Sequence, residues 1–159
     1  MSYETDLYVW TKEQAGSLRR RASNALDWDN LAAEIESLGT SNLDQIESRL
    51  ENLILHLLKW KYHPELRCGS WRGSIFEARH RIERLIKKNP SLGGYPGEYL
   101  PEAYPVGRRK ALAETGLLSL PEVCPWTIEE ALAEDFLPQC LPVNKSSLLN
   151  RLVSGSRND

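Results

Sequence analysis

The sequence contains no apolar run that approaches the roughly 20 residues needed for a membrane-spanning helix. Its first ten residues, MSYETDLYVW, are acidic and lack the basic and then apolar layout of a secretory signal. Only three cysteines are present, Cys68, Cys124 and Cys140, and their odd number and wide spacing indicate free thiols in a reducing compartment. Together these absences predict a cytoplasmic protein with no membrane partner.

A strong excess of charge of either sign is also missing, because the formal net charge is only -2 over 159 residues. This near-neutrality argues against a protein that binds polyanions with its whole surface, but it leaves room for a local basic patch. The apolar content of 41% and the charged content of 26% are ordinary for a globular protein. We expect one helical domain over residues 1–138 and a polar, mobile tail over residues 139–159.

Signals for β-strands are close to absent, whereas helical periodicity is strong. The segment SNLDQIESRLENLILHLLKWKY, residues 41–62, has apolar residues at alternating spacings of three and four, and it is apolar on almost every side between Leu53 and Leu58. Pro64 is predicted to end this helix. A second long helix is predicted over residues 70–88, so the two form an antiparallel hairpin. The sequence therefore predicts an all-α bundle of five or six helices around that hairpin.

A shorter helix is predicted before the hairpin, in the segment DWDNLAAEIESLG. Trp28, Leu31, Ile35 and Leu38 recur there at spacings of three, four and three, which places them on one stripe of a helix. Gly39 follows, and glycine commonly ends helices because it adopts positive φ without strain. We therefore expect this helix to end at Gly39, separate from the helix over residues 41–62.

Two six-residue segments, WTKEQA at 10–15 and WTIEEA at 126–131, have the pattern of a helix start. In each, the threonine can accept a hydrogen bond from the backbone three residues on, while the Gln or Glu side chain reaches back, as in a capping box. They predict one helix over about residues 11–24 and another from Thr127 to about residue 134. A weaker helix candidate, SSLLNRLVSG, lies in the tail at residues 146–155.

The proline-containing segment between the hairpin and Thr127 has two interpretations. A helix from about Pro105 to Glu114 is reasonable, with Pro105 in its first turn. Carrying the helix back through Tyr99 requires a kink at Pro105. The alternative is an extended Tyr-Pro segment that lies on the bundle.

Six motifs resemble those of a known family, and they occur in the family's order over roughly residues 3–138: YVWTKEQA, WDNLAAEIESLG, LILHLLKWKYHPELRCGSW, EARHRIERLI, NPSL and EVCPWTIEEALAEDFLP. The family is domain of unknown function twenty-nine, a group of uncharacterised bacterial proteins that are abundant in cyanobacteria. The resemblance implies an all-helical bundle, and it implies no reaction. The chain departs from the family at Pro101 and Pro105, where the family has a continuous helix.

Charge is segregated along the chain. Residues 27–52 contain seven acids and one base, whereas residues 59–88 contain nine bases and three acids. One interpretation is internal pairing between these segments, which is the commoner outcome. The other is a nucleic-acid-binding patch in which Trp60, Tyr62 and Trp71 stack on bases. The candidate contacts, for nucleic acid or another partner, are Lys59, Lys61, Arg67, Arg72 and Arg84.

The residues that could support metal binding or catalysis are few. His56, His63, Cys68 and His80 are the candidate nitrogen and sulfur ligands, but no second close Cys/His pair completes a zinc set. Cys68 lies near His63 and Arg67, which favours a thiolate, yet no nucleophile motif surrounds it. We therefore expect no metal and no cofactor.

The function that the sequence favours is a non-catalytic interaction or accessory module with a protein partner. Tyr95, Tyr99 and Tyr104 either contribute to such a contact, since tyrosine is enriched at interfaces, or cover the bundle surface. The first alternative is a nucleic-acid-binding protein that uses the basic hairpin over residues 59–88. The second alternative is a metal-dependent enzyme that uses His56 or His63 with a carboxylate.

Overall fold

The computed structural model describes residues 3–139, and within that part of the chain it contains helices and no strand. The all-α prediction is confirmed, with five α-helices: α1 Leu7–Arg19, α2 Trp28–Tyr62, α3 Gly69–Lys88, α4 Tyr95–Thr115 and α5 Ile128–Leu132. The chain divides into unit 1, which ends at Gln45, and unit 2, which begins at Ile46. The predicted tail helix at 146–155 lies outside the described residues, and the domain boundary at residue 138 remains a prediction.

The start of α1 differs from the prediction. The helix begins at Leu7, because the Asp6 side chain caps it by accepting a hydrogen bond from the backbone nitrogen of Val9 at 2.9 Å. Thr11 therefore lies inside the helix and donates to the Tyr8 carbonyl oxygen at 2.8 Å. The capping box predicted at Thr11 is wrong because a better cap stands one turn earlier.

The predicted break at Gly39 is also wrong, since α2 runs without interruption for 35 residues. Of the glycines in the described part of the chain, only Gly116 has a positive φ, at 68°. A glycine inside a helix costs only about 1 kcal/mol relative to alanine, which good helix formers on both sides can offset. The two helices predicted here are one.

The core of unit 2 forms where α2 meets α3. Leu53, Ile54, Leu57 and Leu58 are fully buried, which confirms that this part of α2 is apolar on almost every side. The α3 stripe supplies Ile75, Ala78 and Ile82, each 1% exposed. Lys59 contacts the Trp71 ring near one end of the pair. Further along, the hydrogen bond from Arg81 lowers the pKa of Glu77, and the charge of Arg49 on α2 lowers it as well. The predicted antiparallel hairpin, with its corner at residues 63–68, is therefore confirmed.

Helix α4 resolves the proline-containing segment, since it runs from Tyr95 to Thr115 with Pro101 and Pro105 inside it. Both prolines are exposed, so water can satisfy the carbonyl oxygens that lose their helical donors. Gly116 ends the helix, and its N–H donates to the Leu112 carbonyl oxygen at 3.0 Å.

The second predicted capping box is confirmed at the start of α5. Thr127 Oγ1 accepts from the Glu130 backbone nitrogen at 3.2 Å, and the Glu130 carboxylate accepts from the Thr127 nitrogen at 2.9 Å. The helix ends at Leu132, slightly earlier than predicted. The preceding Trp126 is buried, with its ring edge-on to Phe136.

Candidate interaction surface

The first half of α2, in unit 1, carries an exposed apolar stripe. Trp28, Ile35 and Leu38 are 59%, 67% and 69% exposed, and Leu31 between them is half-buried. We call these four residues the α2 stripe. Anchors at such spacing form a contiguous face on a helix, which is the arrangement that amphipathic helices present to a partner. Large exposed apolar patches on soluble proteins mark interaction sites.

The segment that carries the α2 stripe has charged side chains of one sign only. Residues 27–48 contain six acids and no Lys, Arg or His. The acids are Asp27, Asp29, Glu34, Glu36, Asp44 and Glu47. A surface that combines an apolar stripe with acidic flanks is complementary to an apolar surface with basic flanks.

Two of these acids are held in place by neighbours in unit 1. The Tyr3 hydroxyl donates to a Glu34 carboxylate oxygen at 2.5 Å. The Asn30 amide donates to Asp27 at 2.8 Å, and this hydrogen bond lowers the pKa of the Asp27 carboxyl. Gln14 Oε1 accepts from the Asp27 backbone nitrogen at 2.8 Å, which ties the start of α2 to α1. These hydrogen bonds order the start of α2, and they favour the ionised form of Asp27.

A second exposed apolar feature lies on α3, in unit 2. Phe76 is 58% exposed, and its ring stacks on His80 with centroids 5.9 Å apart and planes 4° from parallel. Both rings border a groove of about 680 Å³ between α3 and residues 132–137, with Ile75 and Ile82 among its lining residues. Arg72 lies on the α3 side of the groove, and Asp135 lies on the opposite wall.

Arg79 fixes the opposite wall of this groove. Its guanidinium donates to three carbonyl oxygens, those of Ala131 at 2.8 Å, Glu134 at 3.1 Å and Phe136 at 2.7 Å. Burial lowers the pKa of Arg79, and the three acceptors replace the water that the side chain loses. One α3 base therefore has a structural role that its position in a basic run did not indicate.

The bases of the corner between α2 and α3 are engaged within unit 2. Lys59 is 8% exposed, its ammonium lies 2.6 Å from a Glu114 carboxylate oxygen, and it stands 4.5 Å from the centre of the Trp71 ring. Arg67 donates to the Trp60 carbonyl oxygen at 2.6 Å and lies over that residue's ring. These contacts hold the corner together.

The remaining predicted contact bases differ in their surroundings. Lys61 lies near the Tyr62 and Trp126 rings, with its ammonium 5.4 Å and 5.8 Å from their centroids. Arg72 and Arg84 are exposed, and neither forms an ion pair with any residue of the described part of the chain. The structure thus leaves two of the five predicted bases, Arg72 and Arg84, exposed and without an ion pair to the described residues, and the predicted nucleic-acid contact remains a prediction.

The tyrosines of α4 contact α2. Tyr95 donates to Glu47 in a short hydrogen bond, and Tyr99 donates to Glu51 at 3.2 Å. The hydrogen bond to Glu47 raises the pKa of Tyr95 to about 12, and burial together with Glu51 raises the pKa of Tyr99 to about 12. Both hydroxyls therefore serve the packing of α4 on α2. Glu47 and Glu51, two acids that were candidates for pairing with the basic helix, accept hydrogen bonds from these tyrosines.

Tyr104 is also directed inward. The residue is 3% exposed, and its hydroxyl donates to the Pro121 carbonyl oxygen at 2.8 Å. Burial raises the pKa of Tyr104 to about 12. Its ring is part of the core of unit 2.

The candidate ligands and nucleophiles do not converge. Within residues 3–139, no group of three His, Cys, Asp or Glu side chains is placed to hold a metal ion. Burial lowers the pKa of His56, whose Nδ1 lies 2.9 Å from the Asn52 carbonyl oxygen. Glu77 and His80 have the Glu-x-x-His spacing of helical metal sites, but Glu77 accepts from Arg81 at 2.7 Å. Cys68 is exposed at the start of α3.

Sequence reasoning did not find the exposure of the α2 stripe or of Phe76. The stripe was recognised as periodic, but periodicity does not show whether a face is covered. Two signals were available: residues 27–48 lack any base, and Phe76 stands outside the apolar face formed by Ile75, Ala78 and Ile82.

Comparison with known proteins identifies the family and leaves the activity open. The family model described as Domain of unknown function DUF29 matches residues 2–137, which is more than half of the chain. No curated protein and no solved structure matches the chain. No helix among residues 3–139 is long and apolar enough to cross a membrane.

Proposed function

The chain belongs to the DUF29 family, and from that premise we propose that it is a non-catalytic interaction module that binds a protein partner through the α2 stripe. The observation that supports this function is the exposure of Trp28, Ile35 and Leu38 on one helical face. A face of this kind gains free energy when a partner removes it from water.

The partner is expected to be an apolar surface bordered by Lys or Arg. The acids beside the stripe favour bases on the partner, since complementary charge speeds association and suppresses wrong partners. Trp28 is the expected anchor, because exposed tryptophans at the centre of interfaces contribute most to binding.

The contribution of two stripe residues can be calculated from their burial. Full burial of an Ile or Leu side chain contributes about 1.5–3 kcal/mol. Ile35 and Leu38 are 67% and 69% exposed, so covering both yields about 2–4 kcal/mol in total. Replacing both by Asp should therefore weaken binding by about 30-fold or more.

The experiment uses a synthetic helical peptide with Leu on one face and Lys on the other, and a matched Leu/Glu peptide. Fluorescence anisotropy should show that the wild type binds the Lys peptide more tightly than the Glu peptide. Ile35→Asp/Leu38→Asp should lose this binding. The control is Ala33→Asp/Ser37→Asp, which adds the same charge to exposed positions on another face of α2.

Comparing the two double variants separates an apolar contact at the stripe from attraction by charge alone. If both double variants bind the Lys peptide equally, the attraction is charge alone and the stripe is not the contact. If the wild type binds neither peptide, the proposed function is wrong for a partner of this chemistry.

Nucleic-acid binding is the second candidate, because Arg72 and Arg84 are exposed without ion pairs to the described residues. Short DNA and RNA should bind at low salt and dissociate steeply as salt rises if this candidate is correct. Arg72→Glu/Arg84→Glu should then abolish binding. Absence of binding at low salt would exclude it.

A further inference from the structure

The exposed face of α3 has the properties that the α2 stripe requires of a partner. Its apolar part is the stacked pair of Phe76 and His80. Around this pair stand four exposed bases, Arg72, Arg84, Lys87 and Lys88. None of the four side chains forms an ion pair or hydrogen bond with a residue in the range 3–139. We call these six residues the α3 face.

The net charges of the two surfaces are opposite. The α3 face has four bases, and Glu77 beside them is paired with Arg81. Three exposed acids without an ion pair in the described structure border this face, Glu83 on α3 and Glu134 and Asp135 across the groove, so its net charge is positive but small. Residues 27–48, which contain the α2 stripe, have six acids and no base. Two α2 stripes placed against each other would bring acid against acid, whereas the α2 stripe against the α3 face brings acid against base.

The α3 face is also long enough to cover the α2 stripe. At 1.5 Å per residue the α2 stripe, from residue 28 to residue 38, spans about 15 Å, and the α3 face, from residue 72 to residue 88, spans about 24 Å. The parallel rings of Phe76 and His80 offer a surface that the Trp28 ring can pack against, since aromatic rings attract each other in offset-stacked or edge-to-face contacts.

From these observations we propose that the partner of the α2 stripe is the α3 face of a second copy of this chain. The proposal rests on the proposed function, because it uses the same stripe, and it names the partner. Each copy carries both surfaces, so a two-fold dimer forms the contact twice. The contact buries Trp28, Ile35 and Leu38 of one copy against Phe76 of the other.

The experiment measures mass by sedimentation velocity over a range of concentrations. The wild type should sediment as a dimer that dissociates as salt rises, because acid–base contacts are screened. Ile35→Asp/Leu38→Asp and Phe76→Asp/Arg84→Glu should each be monomeric at concentrations where the wild type is dimeric. Ala33→Asp/Ser37→Asp should remain dimeric, and circular dichroism should show native helicity in all variants.

Mixing the two monomeric variants tests the pairing of unlike surfaces. The intact α3 face of one variant can then accept the intact α2 stripe of the other, so the mixture should form a heterodimer with one of the two contacts. The heterodimer should be at least tenfold weaker than the wild-type dimer, since it has lost one contact.

Three results would overturn the proposal. One is a wild type that stays monomeric at every concentration. Another is a wild-type dimer that depends on the α2 stripe but not on the α3 face, which indicates pairing between two stripes. The third is a mixture of variants that contains monomers alone. A monomeric wild type that still binds the Lys peptide through the stripe would refute self-association and leave the proposed function standing.

Discussion

Gly107 lies where α4 closely approaches α2, and replacing it with alanine tests that contact. A Cβ atom at residue 107 would lie 2.7 Å from Ile54 Cγ2 and 2.9 Å from the Glu51 backbone oxygen. Cβ atoms in real proteins essentially never approach so closely. Gly107→Ala must therefore push α4 away from α2, since a backbone oxygen cannot turn aside as a flexible side chain can.

Two opposing effects determine how much Gly107→Ala changes the free energy of unfolding. Alanine is favoured over glycine in a helix by about 1 kcal/mol. Overpacking a core by one methyl group costs about 1–3 kcal/mol, and the clash with backbone places Gly107→Ala near the upper end. The net destabilisation should be about 1–2 kcal/mol, which lowers the melting temperature of a protein of this size by about 2–8 °C.

Gly73 provides the matched control, because it lies inside α3, is exposed, and a Cβ atom there meets nothing within 4 Å. Gly73→Ala should gain the helical preference alone and stabilise the protein by about 1 kcal/mol. Urea unfolding followed by circular dichroism gives both values. If Gly107→Ala stabilises the protein as much as Gly73→Ala does, the close crossing of α2 and α4 does not exist.

Three further predictions concern α2. Gly39→Ala should stabilise the protein by about 1 kcal/mol in urea unfolding, because Gly39 lies inside a continuous helix with nothing within 4 Å of a Cβ atom; destabilisation would indicate that the helix breaks there. Glu114→Gln should destabilise the protein by about 1–2 kcal/mol, since it leaves the buried Lys59 ammonium without its counter-charge. A double-mutant cycle with Lys59→Met that shows no coupling energy would contradict this pairing. Burial lowers the pKa of His56 in the folded state, so the unfolded state binds more protons as the pH falls below about 6.5. The stability present above that pH is therefore lost as the pH falls through the folded pKa. His56→Gln should show a flatter dependence of unfolding free energy on pH, between about pH 7 and 5, than the wild type.

Local patterns predicted those elements whose determinants are close together in sequence. The long apolar run before Pro64 and the capping box at Thr127 both depend on neighbours within one or two turns. The start of α1 was missed because the capping-box pattern at Thr11 drew the prediction there, whereas the Asp6 side chain is the cap that forms. Gly39 was misjudged because a single unfavourable residue does not outweigh favourable helix formers on either side.

The state of each charge depended on residues distant in sequence. Lys59 pairs with Glu114, and the charged α3 residue Arg79 binds carbonyl oxygens of residues 131–136. Periodicity and charge counts contain no information about such partners. The sequence therefore indicated that residues 59–88 are basic, but it could not separate the structural bases from Arg72 and Arg84.

The exposed positions of the α2 stripe separate binding from stability. A side chain that is two-thirds exposed contributes little to folding, and substitutions at such surface positions usually change stability by less than about 0.5 kcal/mol. Ile35→Asp/Leu38→Asp should therefore unfold at nearly the wild-type urea concentration when measured on monomeric protein at low concentration. A large loss of stability there would mean that the stripe is part of the core. Unchanged stability together with lost association would show that these apolar residues are needed for a partner and not for the fold.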